Sequence, residues 1–288
     1  MPPTIASLVV YPIKSCGGLE LSQCEVLPTG LRGDRLYMLV DENGRFITGR
    51  AEPRLVLVRP TVGEDSTTFR FEAPALSPLH LPKAPHESDG SQVPTNAQIW
   101  KDSVPVLRHD EGSAWFCDYL KRKVTLCFLK PQLPRQVTHQ DAQPGDIVSL
   151  ADGFPLLLTA QASLDDLNQR LPSPISMRRF RPNVVLVGAP PYDEDSYAKL
   201  SIGELEFRAP KLCDRCVFIT VDPDTGERTP EPLKTLATYR RWNKAVWFGT
   251  NLLPDKTGRL SVGDVLQVLK RRPPPAPHPT ASSSSQRQ

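Results

Sequence analysis

The stretch LCDRCVFITVDPDTGER, residues 212–228, decides how the rest of the chain is read. It carries a C-x-x-C pair, Cys213 and Cys216, followed by Val-Phe-Ile-Thr-Val. A run of β-branched and aromatic residues predicts a strand over residues 217–221. A thioredoxin-like fold places its first cysteine at a helix N-terminus, where the dipole lowers the thiol pKa, and a strand after the pair removes that support. A structural zinc site needs four ligands; here there is one pair, and the nearest histidine is remote in sequence. Two readings stand beside these. Both cysteines are small buried hydrophobes, or one thiolate, set beside Arg215, holds a soft metal. Asp-Pro-Asp-Thr-Gly reads first as a turn, and only second as a source of acid–base groups at Asp222, Asp224 and Glu227.

Working outward, short strands dominate. ASLVVY (6–11), RLYMLV (35–40), a return at 45–48 through an Asn-Gly turn, and apolar runs at 55–58, 124–129, 154–158, 184–187 and 200–207 all read as extended. Helical spacing is confined to 113–123, 160–171 and 233–241, and 260–269 reads as a hairpin-like end. Strands outnumber helices and do not alternate with them. The expected class is therefore α+β and β-rich, barrel-like with peripheral helices, not a doubly wound parallel sheet. Residues 130–146, rich in Pro and Gln, form the expected linker. The domains expected are an N-terminal β-barrel region at 1–130, a second domain at 131–270, and a disordered Pro/Ser-rich tail at 271–288.

The 288 residues carry a net charge of +3, too little to imply nucleic acid without a concentrated basic surface. No run approaches the ~20 apolar residues of a membrane span. The N-terminus reads as a first strand without a charged leader, which predicts a cytoplasmic location and, there, free rather than paired cysteines. Lys121-Arg122-Lys123 is a solvated helix end able to help dock an acidic electron donor. The five histidines fall in loops or the tail and form no ligand pattern.

A thiolate-held molybdenum or tungsten pterin would need cations and donors for the pterin phosphate. The chain offers Lys14-Ser15 after the first strand, Arg35 at the start of the second, Arg50 after Thr48, and Arg181 with Asn183 in RFRPN. Singly, each is an ordinary surface residue; their recurrence at strand ends suggests one pocket.

These residues sit in segments that carry a resemblance: YPIKSCGG (11–18), GDRLYMLVDENGRFITGRAEPRLVLV (33–58), FPLLLTAQASLDDLN (154–168), FRPNVVL (180–186), CDRCVFITVDPDTGER (213–228), WFGTNL (247–252) and SVGDVLQVL (261–269). In this order, from residue 5 to 269, they resemble two-part MOSC proteins, an N-terminal MOSC-associated β-barrel followed by a MOSC domain, as in the amidoxime-reducing component and its bacterial relatives. The resemblance implies a molybdenum cofactor (Mo-molybdopterin) with Cys216 as metal ligand and catalytic thiolate, and Cys213 as a neighbour. It implies cofactor binding by Lys14, Ser15, Arg35, Arg181, Asn183 and Arg215, with Arg50 and Thr159 matching more loosely. It further implies reduction of amidoximes, hydroxylamines and N-hydroxylated bases to amidines and amines.

No G-x-G-x-x-G or P-loop pattern and no ferredoxin-type cysteine set is present, so electrons are expected from an external donor: a ferredoxin, a flavin reductase or a b-type cytochrome system. No nucleic-acid or membrane partner is expected. From another class, the same domain serves as a non-catalytic carrier of the cofactor or of sulfur; an enzyme would keep its cofactor through purification and a carrier would release it.

Overall fold

A computed structural model describes residues 2–91, 95–130 and 133–273. It is a β-rich α+β fold with three α-helices among the described residues: α1 (Asp110–Leu120), α2 (Gln161–Asn168) and α3 (Leu233–Tyr239). The largest sheet runs in the order Leu19–Leu21, Thr4–Val10, Val184–Val187, Leu156–Ala160, Ala245–Pro254, Leu205–Arg208, Tyr197–Ile202, Leu266–Arg271. The first strand of the chain thus sits in the sheet of the C-terminal half, paired antiparallel to Val184–Val187. Leu156–Ala160 and Val184–Val187 are parallel, and the crossover this demands carries α2. A second sheet orders Tyr37–Val40, Thr125–Leu129, Asp102–His109 and Thr95–Ile99. Apolar side chains from it pack with Phe116 and Leu120 of α1 in one core, and the large sheet has its own.

The register explains where a site forms. Leu8 and Val184 pair antiparallel and Leu158 and Val184 parallel, so the exit of the first strand and the entries of the other two lie at one end of these strands. The long strand Ala245–Pro254 serves several partners because it bends at Gly249 (φ +78°); a Cβ there would stand 2.8 Å from the Leu158 carbonyl oxygen.

Several elements differ from the sequence reading. The run after Cys216 is no strand but a 3-10 helix, Val217–Thr220, with Cys216 at its N-cap. β-Propensity is overridden there because Ile219 is needed in the cluster that α2 and α3 cover, while the Thr220 hydroxyl donates to the Val217 carbonyl and closes the turn. The run at 55–58 is largely a 3-10 turn, Pro53–Leu57. α1 begins at Asp110, since His109 Nδ1 accepts from Gly112 N at 3.1 Å and Asp110 and Glu111 complement the dipole. It ends before the basic triplet, at Lys121, which turns left-handed (φ 52°).

The hairpin at 35–50 forms its turn, with the Asp41 carboxylate accepting from Asn43 N and Arg45 N, but the return arm meets the first arm only at an isolated bridge, Val40 to Phe46, and Tyr37–Val40 pairs instead with Thr125–Leu129. Residues 200–207 divide into a hairpin at Gly203, and Gly258–Ser261 pairs with Gln23–Leu27 rather than with the last strand. His80 and His109 lie in strands. The last strand runs to Arg271, and Arg272 bonds to the Pro210 and Ala209 carbonyls, so the expected tail starts later; its part at 274–288 lies outside the described residues.

Candidate functional site

At that end of the strands the loops enclose a cleft of about 890 Å³, open mouth included. Lys14, Ser15, Arg35, Arg50, Arg181, Asn183, Arg215 and Cys216 all line it. Thr159 does not: it is buried, its hydroxyl 3.4 Å from Met177 Sδ.

Three of the lining residues hold left-handed backbone without being glycine, Ser15 (φ 72°), Arg35 (φ 46°) and Arg181 (φ 57°). Such conformations cost roughly 1 kcal/mol or more each and gather where the surroundings fix them for a purpose. Here the fixing is visible. Arg35 Nη1 forks onto the buried Asp34 carboxylate at 2.7 and 2.6 Å and reaches Asn183 Oδ1 at 3.1 Å. Asn183 also accepts from Leu157 N and donates to the Val9 carbonyl, which spends its carboxamide on tying three strands together. Lys14 Nζ, buried, donates to the Leu150 carbonyl at 2.8 Å and pairs with Asp152 at 2.6 Å. Burial pulls its ammonium below the ordinary lysine value, and Asp152 opposes the fall.

Arg179, also at the cleft, pairs with Asp222 at 2.8 Å, whereas among the described residues Arg181, Arg215 and Arg50 have no carboxylate partner. Arg181 stacks 4.2 Å above the Tyr11 ring, whose centroid is also 4.4 Å from the Arg35 guanidinium. It gives one hydrogen bond to the Cys16 carbonyl at 2.6 Å, and its buried Nη2 has no partner. Burial lowers its pKa to about 10, so it stays charged at neutral pH. Arg215 donates to Cys213 Sγ (2.9 Å) and the Phe180 carbonyl (2.7 Å), leaving a buried Nε unpaired. Arg50 lies over Trp100 and points Nη1 at Cys216 Sγ, 3.8 Å away.

Cys216 is exposed in the cleft. Cys213 is not: burial pushes its thiol pKa up, against the pull of Arg215. Cys16, wholly buried, is pushed up to about 12. The single exposed cleft thiol is therefore Cys216. Gly49 is required beside it, because a Cβ would stand 2.2 Å from the Phe218 ring that packs under Arg181. Among the described residues, no three His, Cys, Asp or Glu side chains gather into a ligand cluster.

An anionic group bearing a soft metal matches this donor set. One sulfur is accessible, and two buried guanidinium nitrogens stand unsatisfied until an acceptor such as a phosphate oxygen meets them. Sequence reading passed over Asp34, Tyr11, Asp152 and Phe218. Asp34 had a local signal, its place directly before Arg35 in GDR; Tyr11 and Phe218 had none, since stacking partners arise only on folding. Of the basic run at 178–181, Arg179 and Arg181 both line the cleft, but only Arg181 is left without a carboxylate. Arg178 pairs with Asp224 and Arg179 with Asp222, whose carboxylates also shape the turn after the 3-10 helix.

The chain belongs to the MOSC family: residues 2–123 match the MOSC N-terminal beta barrel domain and residues 145–267 the MOSC domain. Within it the chain is similar to the mitochondrial amidoxime-reducing components, 35% identical over 289 residues to component 1 of Homo sapiens, covering 92% of this chain and 83% of that one. It is 36% identical over 282 residues to component 2 of Rattus norvegicus, covering 91% and 82%. Among solved structures, the YUAD protein from Bacillus subtilis covers 92% of this chain and 94% of its own at 10% identity and a TM-score of 0.40, too distant a superposition to carry residue positions. Among the described residues no helix is long and apolar enough to cross a membrane.

Proposed function

We propose that the cleft holds a molybdenum cofactor through Cys216 and that the protein reduces N-hydroxylated compounds (amidoximes, hydroxylamines and N-hydroxylated bases) to amidines and amines. The carrying observation is the meeting, in one cleft, of a single exposed thiol with three arginines that have no acid partner. The names of the relatives supply the reaction class. Bound there, the cofactor supplies the two-electron, oxygen-accepting chemistry. The chain's own residues bind and orient. Cys216 is the metal ligand; Arg181 and Arg215 offer their unpaired nitrogens to the phosphate and pterin; Ser15 adds a hydroxyl. Lys14 and Arg35, already bonded within the protein, set the positive field and hold the loops that carry the others. Arg50 places a cation against the ligand sulfur.

The test is metal and pterin content per chain, wild type beside Cys216→Ser and Cys213→Ser, after expression in a host that makes the cofactor. We expect about one molybdenum per wild-type chain. The metal and amidoxime reduction should be lost in Cys216→Ser and kept in Cys213→Ser. A folded wild type without pterin, or a Cys216→Ser protein with full metal and turnover, overturns the assignment. Cofactor present but released on dilution, with no turnover, makes the protein a carrier.

A further inference from the structure

Beyond the cleft, a second groove lies between α3 and the hairpin formed by Arg241–Trp242 and Ala245–Pro254. Asp214 and Arg215 line both the groove and the cleft, so one loop, the loop that carries Cys216, separates them. We infer that a small acidic one-electron carrier protein docks in this groove and delivers electrons through that loop. This rests on the reductase reading and names the partner of the same site.

Three observations point there. The groove's floor is apolar, from Leu233, Ala237, Ala245 and Val246, while its rim is basic, from Lys234, Arg241 and Lys244. An apolar centre inside a polar rim is the anatomy of a protein interface, and small interfaces suit brief electron-transfer encounters. Second, the rim charge is uncompensated. The rim's three cations are exposed and, among the described residues, none has an ion pair; the groove's acid, Asp214, is neutralised by Lys211 at 2.7 Å. The basic triplet, read from the sequence as a solvated helix end able to help dock a donor, contrasts with this: Lys121 is held by Asp118, Arg122 faces Glu52 at 3.9 Å and Lys123 faces Glu42 at 3.7 Å. Third, Lys244 stands at a strained position. Asn243 (φ 49°) and Lys244 (φ 64°) form a two-residue hairpin turn whose second position favours glycine, and a lysine there accepts backbone strain to present its charge at the rim.

The chemistry requires repeated visits. In each turnover the N–O bond breaks, an N–H bond forms and water leaves, consuming two electrons and two protons. A one-electron carrier therefore docks twice, and binding has to be fast and weak, which complementary rim charge provides.

The experiment uses the cofactor-loaded full chain with two probes, an acidic plant-type ferredoxin and an acidic soluble b-type cytochrome domain, at low salt. The groove variant is Lys234→Glu with Arg241→Glu and Lys244→Glu; the control is Lys121→Glu with Lys123→Glu. We expect at least one carrier to bind the wild type, with Kd raised about tenfold or more by the groove variant and less than about twofold by the control. Carrier-driven KM should rise in parallel, while turnover driven by a reduced viologen dye stays at the wild-type rate. Failure of both carriers to bind, or equal effects of groove and control variants, overturns the groove assignment. Groove-dependent binding with no viologen-driven turnover in the wild type would support the docking surface and defeat the reductase reading instead. Neutral variants, Lys→Gln and Arg→Gln at the same positions, repeat the test if the reversed charges disturb folding.

Discussion

Two sets of cations build the cleft, and they are solved differently. Lys14 and Arg35, from the N-terminal segments, each hold a carboxylate, Asp152 and Asp34. Arg181, Arg215 and Arg50, around the cysteine loop, hold none, and two of them carry buried nitrogens without partners. Arg35 and Arg181 even share the Tyr11 ring. A cation held by a carboxylate of its own chain is part of the architecture; a buried cation left without one implies a ligand that completes it.

The contrast is testable at each member. The largest effect belongs to Asp34→Asn, which leaves Arg35 charged, largely buried and without its carboxylate. We expect a loss of ~3–5 kcal/mol in urea unfolding. A loss under ~1 kcal/mol would show that Arg35 is no more architectural than Arg181.

Glu194 is the complementary case, a buried acid with no cation bonded to it among the described residues. It accepts from the Ser163 hydroxyl and from Ala160 N, and burial, reinforced by Asp195, pushes its pKa up to about 7. Its folded pKa lies above the ordinary 4.5, so the folded state keeps the proton longer than the unfolded one. Stability therefore falls as pH rises from about 4.5 to about 7 and levels off above, by up to ~3 kcal/mol in total. Glu194→Gln should flatten the profile of denaturation midpoint against pH over that window. An unchanged slope would mean that the carboxyl is already ionised at the acid end.

Arg181→Met tests the ligand side. Removing a guanidinium with no acid partner should change stability by no more than ~1.5 kcal/mol, yet lower pterin retention about tenfold. Thermal unfolding of the empty protein and pterin content after purification separate the two effects. Large destabilisation with normal pterin would place Arg181 with the architectural set. The smallest effect is at Lys121→Ala, whose exposed pair with Asp118 should be worth less than ~0.5 kcal/mol in the same unfolding measurement.

Much of the site was legible because its chemistry is local. C-x-x-C beside Arg215, Arg35 before a strand and RFRPN before another are residue types at positions, and a sequence displays those directly. Which cysteine faces the cleft on physical grounds was not legible. Both lie in the same short run and line the cleft, and only packing leaves Cys213 half-buried, bonded by Arg215, while turning Cys216 out at a 3-10 N-cap. The same override turned an apparent strand into that 3-10 turn, because a four-residue propensity is weak against the burial of Ile219.

By itself, then, the sequence determined a β-rich chain, the family resemblance and a set of candidate side chains for the proposed anionic metal group. Tertiary structure decided which other cations were paid off by carboxylates and which stood open, since Tyr11 and Asp152 acquire their partners only on folding, whereas Asp34 lies next to Arg35 in the chain. It also removed Thr159 from the cleft, and it moved the free basic surface from residues 121–123 to the groove beside α3. The physical reason is common to all of these: a charge is defined by what lies within a few ångströms of it, and most of those neighbours are distant in the chain.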